Sequence, residues 1–190
     1  MDTPEEQIAS LIVSRLGLTP PIDVVSLISQ VADIEEDTPP GDCDALFLGK
    51  PKDRTRPLII LNKKRNPLRK RFTLAHELGH LKIPWHIGTF FCHTSYDAQF
   101  KDSLYYITET EANKFAAELL MPSAWLTQSL DGIASVEEAF NLVKVAKVSD
   151  APIVYALGKM LDPGFVIAAV KEGGEIIAVS YTHLTLPTKA

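Results

Sequence analysis

Asn66-Pro-Leu-Arg-Lys-Arg-Phe-Thr-Leu-Ala-His-Glu-Leu-Gly-His80 is the stretch around which the 190-residue chain is organised. Asn66 is a good N-cap, and Pro67 suits the first helical position, where a missing N–H costs nothing. Leu68, Phe72, Ala75, Leu78 and Gly79 recur at helical spacing until Pro84 closes the run. On this helix His76 and His80 stand four apart, so both imidazoles leave one face and can grip one metal ion. Glu77 lies beside them, placed to take a proton from the water such an ion activates. This is the H-E-x-x-H arrangement of metal-assisted hydrolysis. Gly79 inside the helix costs about 1 kcal/mol relative to Ala, which points to a close approach by a neighbouring element.

A catalytic zinc takes three protein ligands and keeps one position open. The segment Thr108-Glu-Thr-Glu-Ala-Asn-Lys-Phe-Ala-Ala-Glu-Leu-Leu-Met-Pro122 supplies the third on a second helix, with Thr108 as its cap and Pro122 as its stop. Ala112, Phe115, Ala116, Leu119 and Leu120 form its inward face. At 3.6 residues per turn, Glu109 lies roughly 50° from the centre of that face and Glu111 roughly 110° away. Glu109 is therefore the preferred ligand. Asn113, one turn on, can hydrogen-bond a ligating imidazole and fix its tautomer.

The rest of the chain sets bounds. A net charge of -5 argues against a general nucleic-acid binder, and the one basic run, Lys63 to Arg65 with Arg69 to Arg71, reads as a solvated face. Cys43 and Cys92 are too few for a disulfide framework and read as reduced thiols. No apolar run approaches a membrane span, and the N-terminus lacks the positive region of a signal peptide. A cytoplasmic protein with no membrane contact is expected.

Glu5 to Leu16 and Val24 to about Val31 read as helices, the second capped by Asp23, with Thr19-Pro20-Pro21 between them. Asp37 to Asp42 reads as a turn-rich connector. Ala45 to Leu48 and Pro57 to Leu61 read as paired strands, and the Leu58–Leu61 strand could receive an extended peptide by backbone pairing. Trp85 to Tyr106 reads as a loop region over the site, where His86, Cys92 and His93 are stray candidate ligands and Tyr105 and Tyr106 either pack or steady an oxyanion. Helices over Ser135 to Ala146 and Ala151 to Met160 and strands over Phe165 to Val170 and Ile176 to Val179 complete the chain. The expected organisation is a domain over residues 1–125, a helix and β-hairpin subdomain over 126–179, and a non-native tail over 180–190 that takes His183 out of consideration.

Arg71-Phe-Thr-Leu-Ala-His-Glu-Leu-Gly-His80, followed by Glu109-x-x-Ala-Asn-x-Phe-Ala-Ala-x-Leu-Leu-Met-Pro122, resembles the ImmA/IrrE family of metallo-endopeptidases. Ile59-Ile-Leu-Asn62 and Pro21-Ile-Asp-Val24 are also similar, so the likeness covers residues 5–125. It implies His76, His80 and Glu109 as zinc ligands and Glu77 as the catalytic carboxylate. It further implies cleavage of helix-turn-helix repressors that govern stress or mobile-element genes.

The expected fold is thus α+β with a zincin-like core: a small sheet, the H-E-x-x-H helix and a second ligand-bearing helix. The expected activity is that of a zinc endopeptidase. The alternative is a binding module, or a toxin–antitoxin component, that holds a repressor without hydrolysis. A closed four-ligand site completed by His86, Cys92 or His93 would mark it.

Overall fold

The computed structural model describes residues 2–41, 43–49, 53–86, 91–92, 104–133, 135–160, 166–170 and 173–181, with backbone alone at 91, 92, 177, 180 and 181. The architecture is α+β, and the chain divides into two compact units, Met1–Leu120 and Met121–Ala190.

The first unit opens with α1 (Pro4–Leu16) and α2 (Val24–Ser29). Glu6 reaches back to the Thr3 amide at 2.8 Å, and Asp23 accepts from the Ser26 amide at 3.1 Å, so each helix starts on a capped donor. Gly17 ends α1 in the left-handed region, φ 61°.

Strands β1 (Asp33–Asp37), β2 (Ala45–Leu48), β3 (Leu58–Asn62) and β4 (Phe91–Cys92) form one sheet in the order β1-β3-β2-β4. β2 and β3 are antiparallel, as the sequence predicts, with Ala45 opposite Leu61. β1 runs parallel to β3, with Asp33 opposite Leu58. The sequence reading gave no strand here, because Asp-Ile-Glu-Glu-Asp has poor intrinsic strand preference. Cations offset that deficit: Arg56 pairs with Asp33 at 3.3 Å, Arg54 with Glu35 at 2.5 Å, Lys70 with Glu36 at 2.7 Å and Lys63 with Asp37 at 3.2 Å. One expectation is corrected. β3 is hydrogen-bonded to β1 on one side and β2 on the other, so Leu58–Leu61 has no open backbone side to offer a peptide.

From β3 the chain turns directly into α3 (Pro67–Lys82). Buried Asn62 holds that turn, donating to the Cys43 carbonyl at 2.8 Å and accepting from the Lys64 amide at 3.0 Å. Asp44, 2 % exposed, then clamps the start of α3 to the sheet, accepting from Arg65 Nε at 2.6 Å and Arg69 Nε at 2.7 Å. α3 packs chiefly on α4 (Leu104–Leu120), which also packs on α1. Polar bonds lock the latter contact: Ser10 donates to Glu118 at 2.6 Å, and Lys114 pairs with buried Glu5 at 3.1 Å. Ile59, Leu78, Phe115, Ala116 and Leu119 are wholly or almost wholly buried between sheet and helices. α4 begins at Leu104, so Thr108 lies inside the helix rather than capping it, and its hydroxyl donates to the Tyr105 carbonyl.

The second unit holds α5 (Ser123–Leu130), α6 (Val136–Val143) with a 3-10 turn after it, α7 (Asp150–Met160), and the antiparallel pair β5 (Val166–Val170) and β6 (Ile176–Tyr181). Ser135 caps α6, accepting from the Glu138 amide at 3.1 Å. α7 packs on both strands. α5 had no counterpart in the sequence reading, and β6 takes in Ser180 and Tyr181, which that reading assigned to the tail. His183 lies outside the described residues. Among the described residues, no helix is long and apolar enough to cross a membrane.

Candidate metal centre

Asn66 starts α3 by accepting from the Arg69 amide at 2.9 Å, and every residue from Thr73 to His80 is buried. The helix passes through the interior, so its polar side chains there need partners. His76 and His80 project together, their Nε2 atoms 3.0 Å apart. Glu77, between them in sequence, is wholly buried.

α4 brings Glu109 to the same point. A Cβ built on Gly79 would sit 3.1 Å from Phe115 Cδ1 and 3.3 Å from Ala112 Cα. The glycine therefore allows the two helices to approach, as its cost in the helix implies. At that spacing Glu109 Oε2 lies 3.3 Å from His76 Nε2, and Glu109 Oε1 lies 3.3 Å from His80 Nε2. Among the described residues these three side chains form a group with ligand atoms all within 4.8 Å.

The geometry fits an ion. Bonds of about 2.0–2.2 Å to a four-coordinate metal leave its ligand atoms about 3.3–3.6 Å apart; the two Nε2 atoms are 3.0 Å apart, and each lies 3.3 Å from a different oxygen of the Glu109 carboxylate, so the three groups stand at about that spacing. Two imidazoles and one carboxylate are a donor set that leaves a fourth position for water or substrate. Asn113 Oδ1 lies 2.9 Å from His76 Nδ1. An amide oxygen only accepts, so Nδ1 carries the proton and Nε2 keeps its lone pair for the metal.

Without an ion, the cluster is a strongly coupled set of charges. Burial pushes the His80 imidazolium down to about 4, with His76 and His86 adding to the effect against the pull of Glu109. Burial also opposes charge on His76, but the hydrogen bond and charge of Glu109, with help from Glu77 and Asn113, hold it above its ordinary value. Burial would raise Glu109, yet hydrogen bonds and charge from the two histidines bring it down to about 2. The carboxylate is therefore ionised at any physiological pH.

The structure brings His76, His80 and Glu109 together, while Glu77 is wholly buried with its charge acting on His76. Glu111 sits to the side, accepting from Trp85 Nε1 at 2.7 Å and facing His86 Nε2 at 2.8 Å. His86 lies behind His80, against its Nδ1, rather than beside the ligand atoms. The sequence ranks Glu111 behind Glu109 as a ligand and offers His86 as a stray one, and nothing in it shows that they pair. Their only sequence signal is helical phase, which turns Glu111 away from Glu109. Tyr105 and Tyr106 stand on the first turn of α4, the former exposed and the latter half-buried. His93 lies outside the described residues, and Cys92 is described in its backbone alone.

Comparison with known proteins follows the same outline. The model of the Peptidase_M78 family, the IrrE N-terminal-like domain, matches residues 40–157. The chain belongs to the IrrE N-terminal-like family. It is 34% identical over 102 residues to the radiation response metalloprotease IrrE of Deinococcus radiodurans, covering 53% of this chain and 30% of that protein. It is 32% identical over 113 residues to the protein of the same name from Deinococcus deserti, covering 58% of this chain and 39% of that one. The match thus spans well under half the length of either relative. Among solved structures, a Mycobacterium tuberculosis transcriptional regulator is similar with a TM-score of 0.60 and 14% identity, over 95% of this chain and 55% of that one. At that identity the likeness concerns fold. The buried His76, His80 and Glu109 group and membership of the IrrE N-terminal-like family both point to a bound metal.

Proposed function

We propose that this chain is the zincin-like catalytic part of a zinc-dependent endopeptidase, with His76, His80 and Glu109 as the metal ligands and Glu77 as the catalytic carboxylate. The observation that carries the reading is the convergence of two α3 imidazoles and one α4 carboxylate beside the buried Glu77. The relatives named radiation response metalloprotease support it. Two nitrogen donors and one oxygen donor suit zinc better than calcium or magnesium, which prefer all-oxygen shells. When bound, the ion polarises a peptide carbonyl and acidifies water.

The chain's own residues do the rest. Glu77 takes a proton from the attacking water and returns it to the leaving amine. Burial removes Glu77 from bulk solvent, which favours its acting on a water held in the site. Asn113 holds His76 in the ligating tautomer.

The proposed substrate is a helix-turn-helix repressor of stress or mobile-element genes, in the cytoplasm. This rests on the sequence resemblance, and a repressor encoded beside the gene is the natural test. The zinc-loaded protein should cut it into discrete fragments, while Glu77→Gln retains zinc and loses turnover by about 10²–10⁴-fold. Near-full turnover in Glu77→Gln would remove Glu77 from the mechanism. A zinc-loaded wild type that binds the repressor intact would favour holding over cutting.

A further inference from the structure

Two imidazoles meet nitrogen to nitrogen behind the metal centre. His80 Nδ1 lies 3.0 Å from His86 Nδ1, so one ring donates and the other accepts. On the far side of its ring, His86 Nε2 faces Glu111 Oε2 at 2.8 Å, and Trp85 Nε1 donates to that same oxygen at 2.7 Å. The His86 side chain is wholly buried, so bulk water does not compete at its contact with His80, while the Glu111 end is partly exposed.

The direction of each proton follows from the carboxylate. An ionised Glu111 can only accept. His86 therefore donates through Nε2, and in the tautomer that carries this single ring proton its lone pair lies on Nδ1. That lone pair accepts from His80 Nδ1–H. The lone pair of His80 is then on Nε2, the atom 3.3 Å from Glu109 Oε1. The reverse assignment points the His86 Nε2 lone pair at a carboxylate and leaves a proton on His80 Nε2, where a metal would have to bind.

Local structure explains how His86 reaches this position. Pro84 stops α3, and the His86 amide donates to the Ile83 carbonyl at 3.1 Å, closing a turn with proline at its second residue. The turn brings the chain back over the end of α3. α4 then supplies Glu109 to the ligand cluster and, two residues on, Glu111 to the relay.

We infer that His86 and Glu111 are positioning residues that fix His80 as the tautomer whose Nε2 faces the metal ion, a role that rests on the metal-site reading above. His76 is set directly by Asn113, whereas His80 is set at one remove, through a second imidazole. Glu111 acts on the metal only through His86.

The test is affinity for cobalt(II), read from its visible absorption and from competition with a chelator, in wild type, His86→Ala, Glu111→Ala and the double variant. His86→Ala should weaken binding by about 10–100-fold and Glu111→Ala by about 10-fold. The double variant should bind no more weakly than His86→Ala alone, because the two act in series. Thermal melting of the metal-free proteins separates this from general destabilisation, since lost packing would lower melting without that pattern. If His86→Ala does not fold, partly exposed Glu111→Ala carries the test alone. Unchanged affinity in a folded variant, or additive losses in the double variant, would overturn the relay and leave the metal site standing. A wild type that takes up no cobalt(II) would overturn the metal site and the relay with it.

Discussion

His76 and His80 are the same residue type one helical turn apart, yet their surroundings push them in opposite directions. Burial dominates at His80, while Glu109, Glu77 and Asn113 outweigh burial at His76 and hold its imidazolium above the ordinary range. A metal needs the neutral ring, so the proton that these neighbours favour on His76 has to leave as the ion enters. Zinc binding should therefore release protons, more of them as pH falls, and apparent affinity should rise with pH through the raised titration of His76. Calorimetry in two buffers of different ionisation enthalpy reads the proton count, and a count of zero would contradict the coupling. At this scale the sequence was informative where helix geometry alone decides the outcome. Spacing puts His76 and His80 on one face, and phase prefers Glu109 to Glu111. It offers His86 only as a stray candidate ligand, because its place depends on a turn folding back on its own helix.

Elements were legible where pattern and caps agree. Asn66-Pro67, Asp23 and Ser135 start helices where such residues should. Legibility failed where tertiary partners override local preference. β1 is held by cations that come from the β2–β3 connection and from α3, none of which its own five residues reveal. The start of α4 was placed a turn too late because Thr108 looks like a cap, although the hydroxyl serves its own helix. Gly79 belongs to this scale as well. Adding a methyl there gains about 1 kcal/mol of helix preference, but it comes within 3.1 Å of Phe115 Cδ1 and 3.3 Å of the Ala112 Cα, both wholly buried, so the two helices have to part slightly. Overpacking of this kind costs about 1–3 kcal/mol. Gly79→Ala should therefore lower stability in urea titrations and weaken cobalt(II) binding, because Glu109 rides on the displaced helix. A variant more stable than wild type, with unchanged affinity, would show that the close approach is dispensable.

For the whole molecule, the proposed metal centre would tie the first unit together from two distant parts of the sequence. α3 and α4 are separated by residues 83–103, and the ligand set closes across that interval. An ion that binds only the folded unit stabilises it by mass action, about 2.7 kcal/mol at a free concentration one hundred times its Kd. For a unit of this size, that raises the melting temperature by about 10 °C. Removal of zinc with a chelator should lower the transition by this order, and readdition should restore it. Equal melting temperatures with and without zinc would mean that the ion does not bind the folded site.

The acidic strand β1 has a consequence for the protein's behaviour in a crowded solution. It lies at one end of the sheet order, with Asp33, Glu35, Glu36 and Asp37 among its five residues. Charged side chains on an outermost strand discourage a second chain from adding itself there and starting an aggregate. The lysines and arginines that neutralise these carboxylates come from the same molecule, so the repulsion is quiet in the native fold. The composition that concealed β1 in the sequence thus also protects the sheet from growing beyond its own chain.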